Sequence, residues 1–169
     1  MPPFREDSLM AQDALTAAPR GYHTVSPYLT LRDVPGFLKF VKEVFGATVL
    51  QEIHQNDGRI AHVEVCIGGD SLIMVGPPEV DAELTRRARP REGTFYVYVP
   101  DVDAAYRRAM SCGANSWEAP TERFYGDRVA AVVDPNDNVW WIATKLRQLT
   151  DEQLQERARL QWRRGGGAV

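Results

Sequence analysis

The sequence predicts an α+β protein built from two βαβββ modules followed by a C-terminal helix, and three observations carry that prediction. The chain repeats its own pattern at a near-constant offset: 68 positions from Pro27 to Phe95 at the strand-like openings PYLTL and FYVYV, and 67 positions both from Gly46 to Gly113 and from Met74 to Trp141. That offset is longer than the roughly 20 to 50 residue period of solenoids, so it indicates two fused modules. Each pass also places an aspartate after its first strand (Asp33, Asp101) and a Gly-Ala pair after its helical run (Gly46-Ala47, Gly113-Ala114), as helix caps require. The remaining segments alternate apolar and polar residues with the period of a strand.

In chain order, strand-like text opens at Val25 and runs to Leu31. Asp33 follows as an N-cap, with Pro35 in the first turn, where its missing N–H costs little. Phe37, Leu38, Val41 and Val44/Phe45 recur at helical spacing, and Gly46 closes the helix. Strands over residues 48–55 and 59–67 flank Asn56-Asp57-Gly58, and an Asp-Gly pair supplies the positive φ that a tight hairpin needs. Gly68-Gly69-Asp70 then turns the chain into SLIMVG. The second module predicts a strand to Val99, a helix over about residues 102–111, and strands over residues 115–118, 127–134 and 139–144, with Asp134-Pro135-Asn136-Asp137-Asn138 as a polar turn. Thr150 stands three residues before Gln153, a capping box for a charged C-terminal helix with Leu154 and Leu160 on one stripe.

These elements divide the chain into a flexible N-terminal arm at residues 1–22, a two-module domain at 23–146 (module one 23–77, linker 78–92, module two 93–146), and a C-terminal helix and tail at 147–169. The segment over residues 77–92 carries three prolines and many charges. At 169 residues and 44% hydrophobic content the chain can bury a substantial core. Its formal net charge of -3 gives no basic footprint, so nucleic acid is not expected as a partner. Cys66 and Cys112 show no CxxC spacing, which fits a reducing, cytoplasmic setting. No apolar run reaches the roughly 18 residues of a membrane span, so no membrane partner is expected either.

The segments SPYLTLRDVPGFLKFVKEVFGA, DGRIAHVEV, the helix ending in SCGA, and FYGDRVAAVVDPNDNVWW together resemble the vicinal-oxygen-chelate superfamily, close to its glyoxalase/bleomycin-resistance-like members. The resemblance covers about residues 24–145. It implies that each module curls its sheet into a half-barrel, and that the paired half-barrels surround a pocket. It further implies metal-ligand positions on the first and last strand of each module, which fall here on Ser26, Met74, Thr94 and Trp141. None offers the imidazole, carboxylate or thiolate that a divalent metal wants, so no metal and no cofactor is expected.

Strand parity separates two faces. Leu29, Leu31, Val63, Val65, Ile73, Val75, Phe95, Val97 and Val99 form apolar sets for the helix-packed face. The opposite parity holds Tyr28, Thr30, His62, Glu64, Cys66, Leu72, Met74, Thr94, Tyr96, Tyr98, Val139 and Trp141, an aromatic lining with a few polar groups. Either these side chains fill a barrel interior or they line a small-molecule site with Tyr28, Met74, Thr94, Tyr96, Tyr98, Tyr125, Arg128 and Trp141 as ligand contacts. His62 and Glu64 share one face and suit an acid/base pair, or they simply complete hydrogen bonds within the sheet face. Arg128 either forks onto a ligand carboxylate or phosphate or pairs with Asp127 or a neighbouring carboxylate. The functions expected are metal-independent binding or sequestration of an aromatic or amphipathic molecule, or a metal-independent isomerase, epimerase or lyase using His62 and Glu64; a glyoxalase-type metalloenzyme ranks below both. A homodimer is the expected assembly.

Overall fold

The computed structural model describes residues 22–78 and 93–163. The predicted arm apart from residue 22, the linker apart from residue 78, and the last six residues of the tail lie outside the described residues. In chain order the elements are β1 (Tyr28–Thr30), α1 (Val34–Phe45), β2 (Thr48–His54), β3 (Ile60–Ile67), β4 (Ser71–Gly76), β5 (Thr94–Tyr98), α2 (Val102–Ser111), β6 (Asn115–Glu122), β7 (Asp127–Val133), β8 (Val139–Lys145) and α3 (Asp151–Arg163).

The capping residues act as their types dictate. Asp33 Oδ1 accepts from Gly36 N at 2.9 Å, and Asp101 Oδ1 accepts from Ala104 N at 2.9 Å. Gly46 ends α1 in the left-handed region at φ 67, where an L side chain would be strained. Thr150 and Gln153 exchange the two bonds of a capping box at 3.0 and 3.2 Å ahead of α3.

The strands form two four-stranded sheets, ordered β1-β4-β3-β2 and β5-β8-β7-β6. In each, the first strand pairs parallel with the fourth and the other pairs are antiparallel. This corrects the half-barrel expectation. Both sheets are open: β1 and β2 end one, β5 and β6 end the other, and no ladder closes or curls either into a barrel. The outer strands show why. A barrel needs inward side chains on every strand, yet no residue of β2 or β6 is fully buried.

The residues of the predicted helix-packed parity are the ones that meet the core. Leu29, Leu31, Val63, Val65, Ile73 and Val75 join the core with α1, and Phe95, Val97 and Val99 pack against it. The core runs through both modules, centred on Trp140, whose ring lies 4.5 Å from Phe95, 4.8 Å from Phe45 and 6.2 Å from Phe40. Polar bonds join the modules at both ends of α1. Asn136 in the β7–β8 turn exchanges two bonds with the Asp33 backbone, and the Arg108 guanidinium of α2 donates to Val44 O at 2.9 Å.

Candidate functional site

The sheet faces turned away from the helices carry the chemistry. On the second sheet, β5 presents Tyr96 and Tyr98 two residues apart, so both project to the same side, with ring centroids 5.3 Å apart. Their hydroxyls converge on one oxygen: Tyr98 donates to Asp127 Oδ2 at 3.0 Å and Tyr96 at 3.3 Å. The other oxygen, Oδ1, meets the Lys145 ammonium at 2.7 Å. Asp127 and Lys145 are direct cross-strand partners of β7 and β8. The carboxylate is 1% exposed, whereas Tyr96 and Tyr98 are 45% and 61% exposed.

Burying a carboxylate is tolerable only with such partners. The arrangement in turn shifts them. Burial, then a hydrogen bond with Tyr125, holds the Tyr96 phenol well above its ordinary range; burial, then the bond to Asp127, also raises Tyr98. The bond to Asp127 raises Lys145. Both tyrosines therefore stay neutral and Lys145 stays charged at neutral pH.

A cleft of about 630 Å³ runs beside this platform, lined by Phe95, Tyr96, Val97 and Tyr98 of β5 and by Val25, Ile67, Leu72 and Ile73 of module one. His23, at its polar edge, bonds the Asp70 carbonyl at 2.8 Å. A carbonyl only accepts, so the imidazole Nε2 carries the proton there.

The first sheet holds a second cluster. Glu64, 5% exposed, accepts from the Tyr22 hydroxyl at 2.6 Å through Oε2 and faces His62 Nε2 at 3.4 Å through Oε1. Tyr28 stacks over His62 with ring centroids 5.8 Å apart. Its hydroxyl lies where a Cβ at position 76 would stand, 2.5 Å from that point, so Gly76 makes room for it.

The structure thus brings together Tyr96, Tyr98 and Tyr125 in one cluster and Tyr28, His62 and Glu64 in another. Met74 is the register partner of both Tyr28 and Glu64, and Trp141 is the partner of Tyr96. Trp141 also turns toward Trp117, with centroids 6.3 Å apart. Thr94 sits exposed at the start of β5. Arg128 does not join: it forks onto Asp103 of α2 with two bonds of 2.8 Å, on the helix-packed side of β7.

Residues 22–142 match the family described as the Glyoxalase/Bleomycin resistance protein/Dioxygenase superfamily. The chain belongs to this superfamily. It is similar to an uncharacterized protein of Mycobacterium bovis, with 26% identity over 135 residues, covering 78% of this chain and 89% of that protein. Among solved structures it resembles TioX from Micromonospora sp. ML1 at TM-score 0.57 and 21% identity, over 76% of this chain and 100% of that one. A glyoxalase/bleomycin resistance protein/dioxygenase family enzyme from Burkholderia phytofirmans PsJN gives TM-score 0.59 and 23% identity, over 70% and 95%. At these identities the structural likeness concerns the fold.

The superfamily's metal does not fit the residues that stand here. Among the described residues no group of three or more His, Cys, Asp or Glu side chains could hold an ion. At the four positions implied by the resemblance, Ser26 offers a neutral hydroxyl, buried without a hydrogen-bond partner among the described residues, and Met74, Thr94 and Trp141 offer no carboxylate or imidazole.

Three residues of these clusters escaped the sequence reading. Tyr22 was assigned to the arm. Asp127 was weighed only as a partner for Arg128. Lys145 fell one residue past the predicted end of β8, although its parity with Trp141 places it on the open face.

Proposed function

We propose that this superfamily member binds a small aromatic or amphipathic molecule on the tyrosine platform of module two, without a metal, as a sequestering or carrier protein. The observation that carries the reading is the pairing of two exposed rings with hydroxyls fixed on the buried Asp127. A ring already held by its hydroxyl loses little freedom on binding, and such preorganisation lowers the cost of association. The adjoining cleft supplies apolar walls of the kind small-molecule sites use. Thr94, Tyr125 and Trp141 lie on or beside this platform, while Tyr28 and Met74 extend the aromatic and apolar face on module one.

Native mass spectrometry of the purified protein, with and without added aromatic compounds, tests the reading. Expected is one ligand per chain, lost in the Tyr96→Ala, Tyr98→Ala double variant with circular dichroism unchanged. Binding that survives in this variant overturns the assignment. The same spectra report assembly. A homodimer in a cytoplasmic setting is our reading, supported by the exposed Leu50 and Ile53 on edge strand β2 and Trp117 on edge strand β6; a monomer at micromolar concentration would refute the dimer. Among the described residues no helix is long and apolar enough to cross a membrane.

A second reading has its own observation. Tyr22, Glu64 and His62 form a hydrogen-bonded chain in which Glu64 can orient the imidazole, the arrangement a metal-independent isomerase, epimerase or lyase would use for proton transfer.

A further inference from the structure

The hydrogen-bond inventory of the platform narrows what it accepts. Tyr98 and Tyr96 both direct their protons to Asp127 Oδ2. A phenol has one proton to give and two lone pairs, so once that proton is committed the oxygen meets any further group as an acceptor. Lys145 has the opposite surplus: its ammonium ion-pairs with Asp127 Oδ1 at 2.7 Å, and an ammonium carries three donors and no acceptor. The amine head is partly exposed, with 41% of its side chain accessible. The charges of Asp127 and Lys145 cancel across 2.7 Å, so the cluster is neutral as a whole.

We infer that the platform selects a neutral, hydroxyl-bearing aromatic molecule, a phenol or a comparable ring alcohol, whose hydroxyl donates to the Tyr98 oxygen and accepts from Lys145 while its ring lies against Tyr96 and Tyr98. The inference rests on the platform reading above and adds the ligand's functional group. A hydroxyl both donates and accepts, and so matches the two surpluses together. An ether lacks the proton that the Tyr98 oxygen needs. A carboxylate likewise brings no proton, and its charge meets an ammonium already neutralised, with the Asp127 carboxylate directly behind it. An aromatic ammonium would face Lys145 with like charge.

Naphthol, its methyl ether and naphthoate, compared at neutral pH by tryptophan fluorescence titration and calorimetry, test the inference on the unaltered protein. Naphthol is expected to bind about tenfold more tightly than the ether, the effect of one hydrogen bond in a desolvated site, and more tightly than naphthoate. In Tyr98→Phe, which keeps the ring and removes the oxygen, the gap between naphthol and its ether should close while the ether's affinity stays within about threefold. Equal affinity for naphthol and ether in the unaltered protein overturns the inference and leaves the platform reading standing, provided Tyr96→Ala weakens both. Tightest binding of naphthoate also overturns it, assigning Lys145 as an anion receptor. Failure of all three compounds to bind removes the inference and the platform reading together.

Discussion

The indole of Trp140 donates its N–H to the carboxylate of Asp134 at 2.9 Å, with both residues buried, and this bond ties the centre of the core to the β7–β8 turn. Asp134 also accepts from the Asn136 and Asn138 backbone N–H groups and from Asn138 Nδ2, at 2.8, 3.0 and 2.9 Å. Asn138 in turn accepts from Gly93 N at 2.8 Å, at the entry to β5. One carboxylate thereby fixes the turn, the core tryptophan and the start of the strand that presents the tyrosines.

Asp134→Ala should therefore destabilise the fold by about 3 kcal/mol or more, because it leaves several buried donors without an acceptor. Asp134→Asn keeps one acceptor oxygen and should cost less. Urea denaturation followed by tryptophan fluorescence measures both; a loss below about 1 kcal/mol in the alanine variant would show the network to be dispensable.

The tyrosine cluster should set the alkaline limb of stability. Tyr96, Tyr98 and Lys145 all have raised values in the folded state, so the native protein holds its protons longer than the unfolded chain. Stability from these groups is complete below their ordinary range near pH 10 and is lost as pH rises toward their higher folded values. Urea midpoints should fall between about pH 9 and 11, and Tyr98→Phe and Lys145→Met should each make that fall shallower. A slope unchanged in both variants would detach these groups from the alkaline transition.

Arg128 should matter at the acid end and not for the ligand. Its guanidinium holds the Asp103 carboxyl below the usual range, so the clamp contributes above the ordinary aspartate value near pH 4 and is lost as pH falls through the lower folded one. Asp103→Asn should reduce the drop in melting temperature on acidification from about pH 5 to 3. Arg128→Gln should leave aromatic-ligand affinity unaltered at neutral pH, since the side chain lies on the helix-packed face.

Much of this architecture was legible because its signals are local. Asp33, Gly46, Asp101 and the Thr150/Gln153 pair cap helices through their own short-range bonds, and alternation alone separated Leu29, Val63 and Val75 from Tyr28 and His62. What was not legible depends on long-range register. In β7 both faces are apolar (Val129 and Ala131 on one, Ala130 and Val132 on the other), so parity could not say whether Asp127 or Arg128 faced the tyrosines. The ladder decides it by opposing Asp127 to Lys145 and Ala131 to Trp141. Curling was expected by resemblance, whereas the exposure of β2 and β6 depends on which strands remain unpaired.

The module-one cluster separates binding from catalysis. His62 contacts Glu64 at 3.4 Å and Tyr28 by stacking, and Glu64 is held from its other side by Tyr22. If the protein only binds its ligand on module two, His62→Ala should change affinity by less than about 1 kcal/mol, because at most one ordinary hydrogen bond is removed. If His62 moves a proton, the same change should lower turnover of a substrate by about 10²- to 10⁴-fold with affinity little altered. Tyr22→Phe refines the distinction without removing the imidazole. If Glu64 orients the imidazole for that step, loss of the Tyr22 bond to its other oxygen should also lower turnover. Turnover unchanged in Tyr22→Phe would remove the hydrogen-bonded chain on which the proton-transfer reading rests.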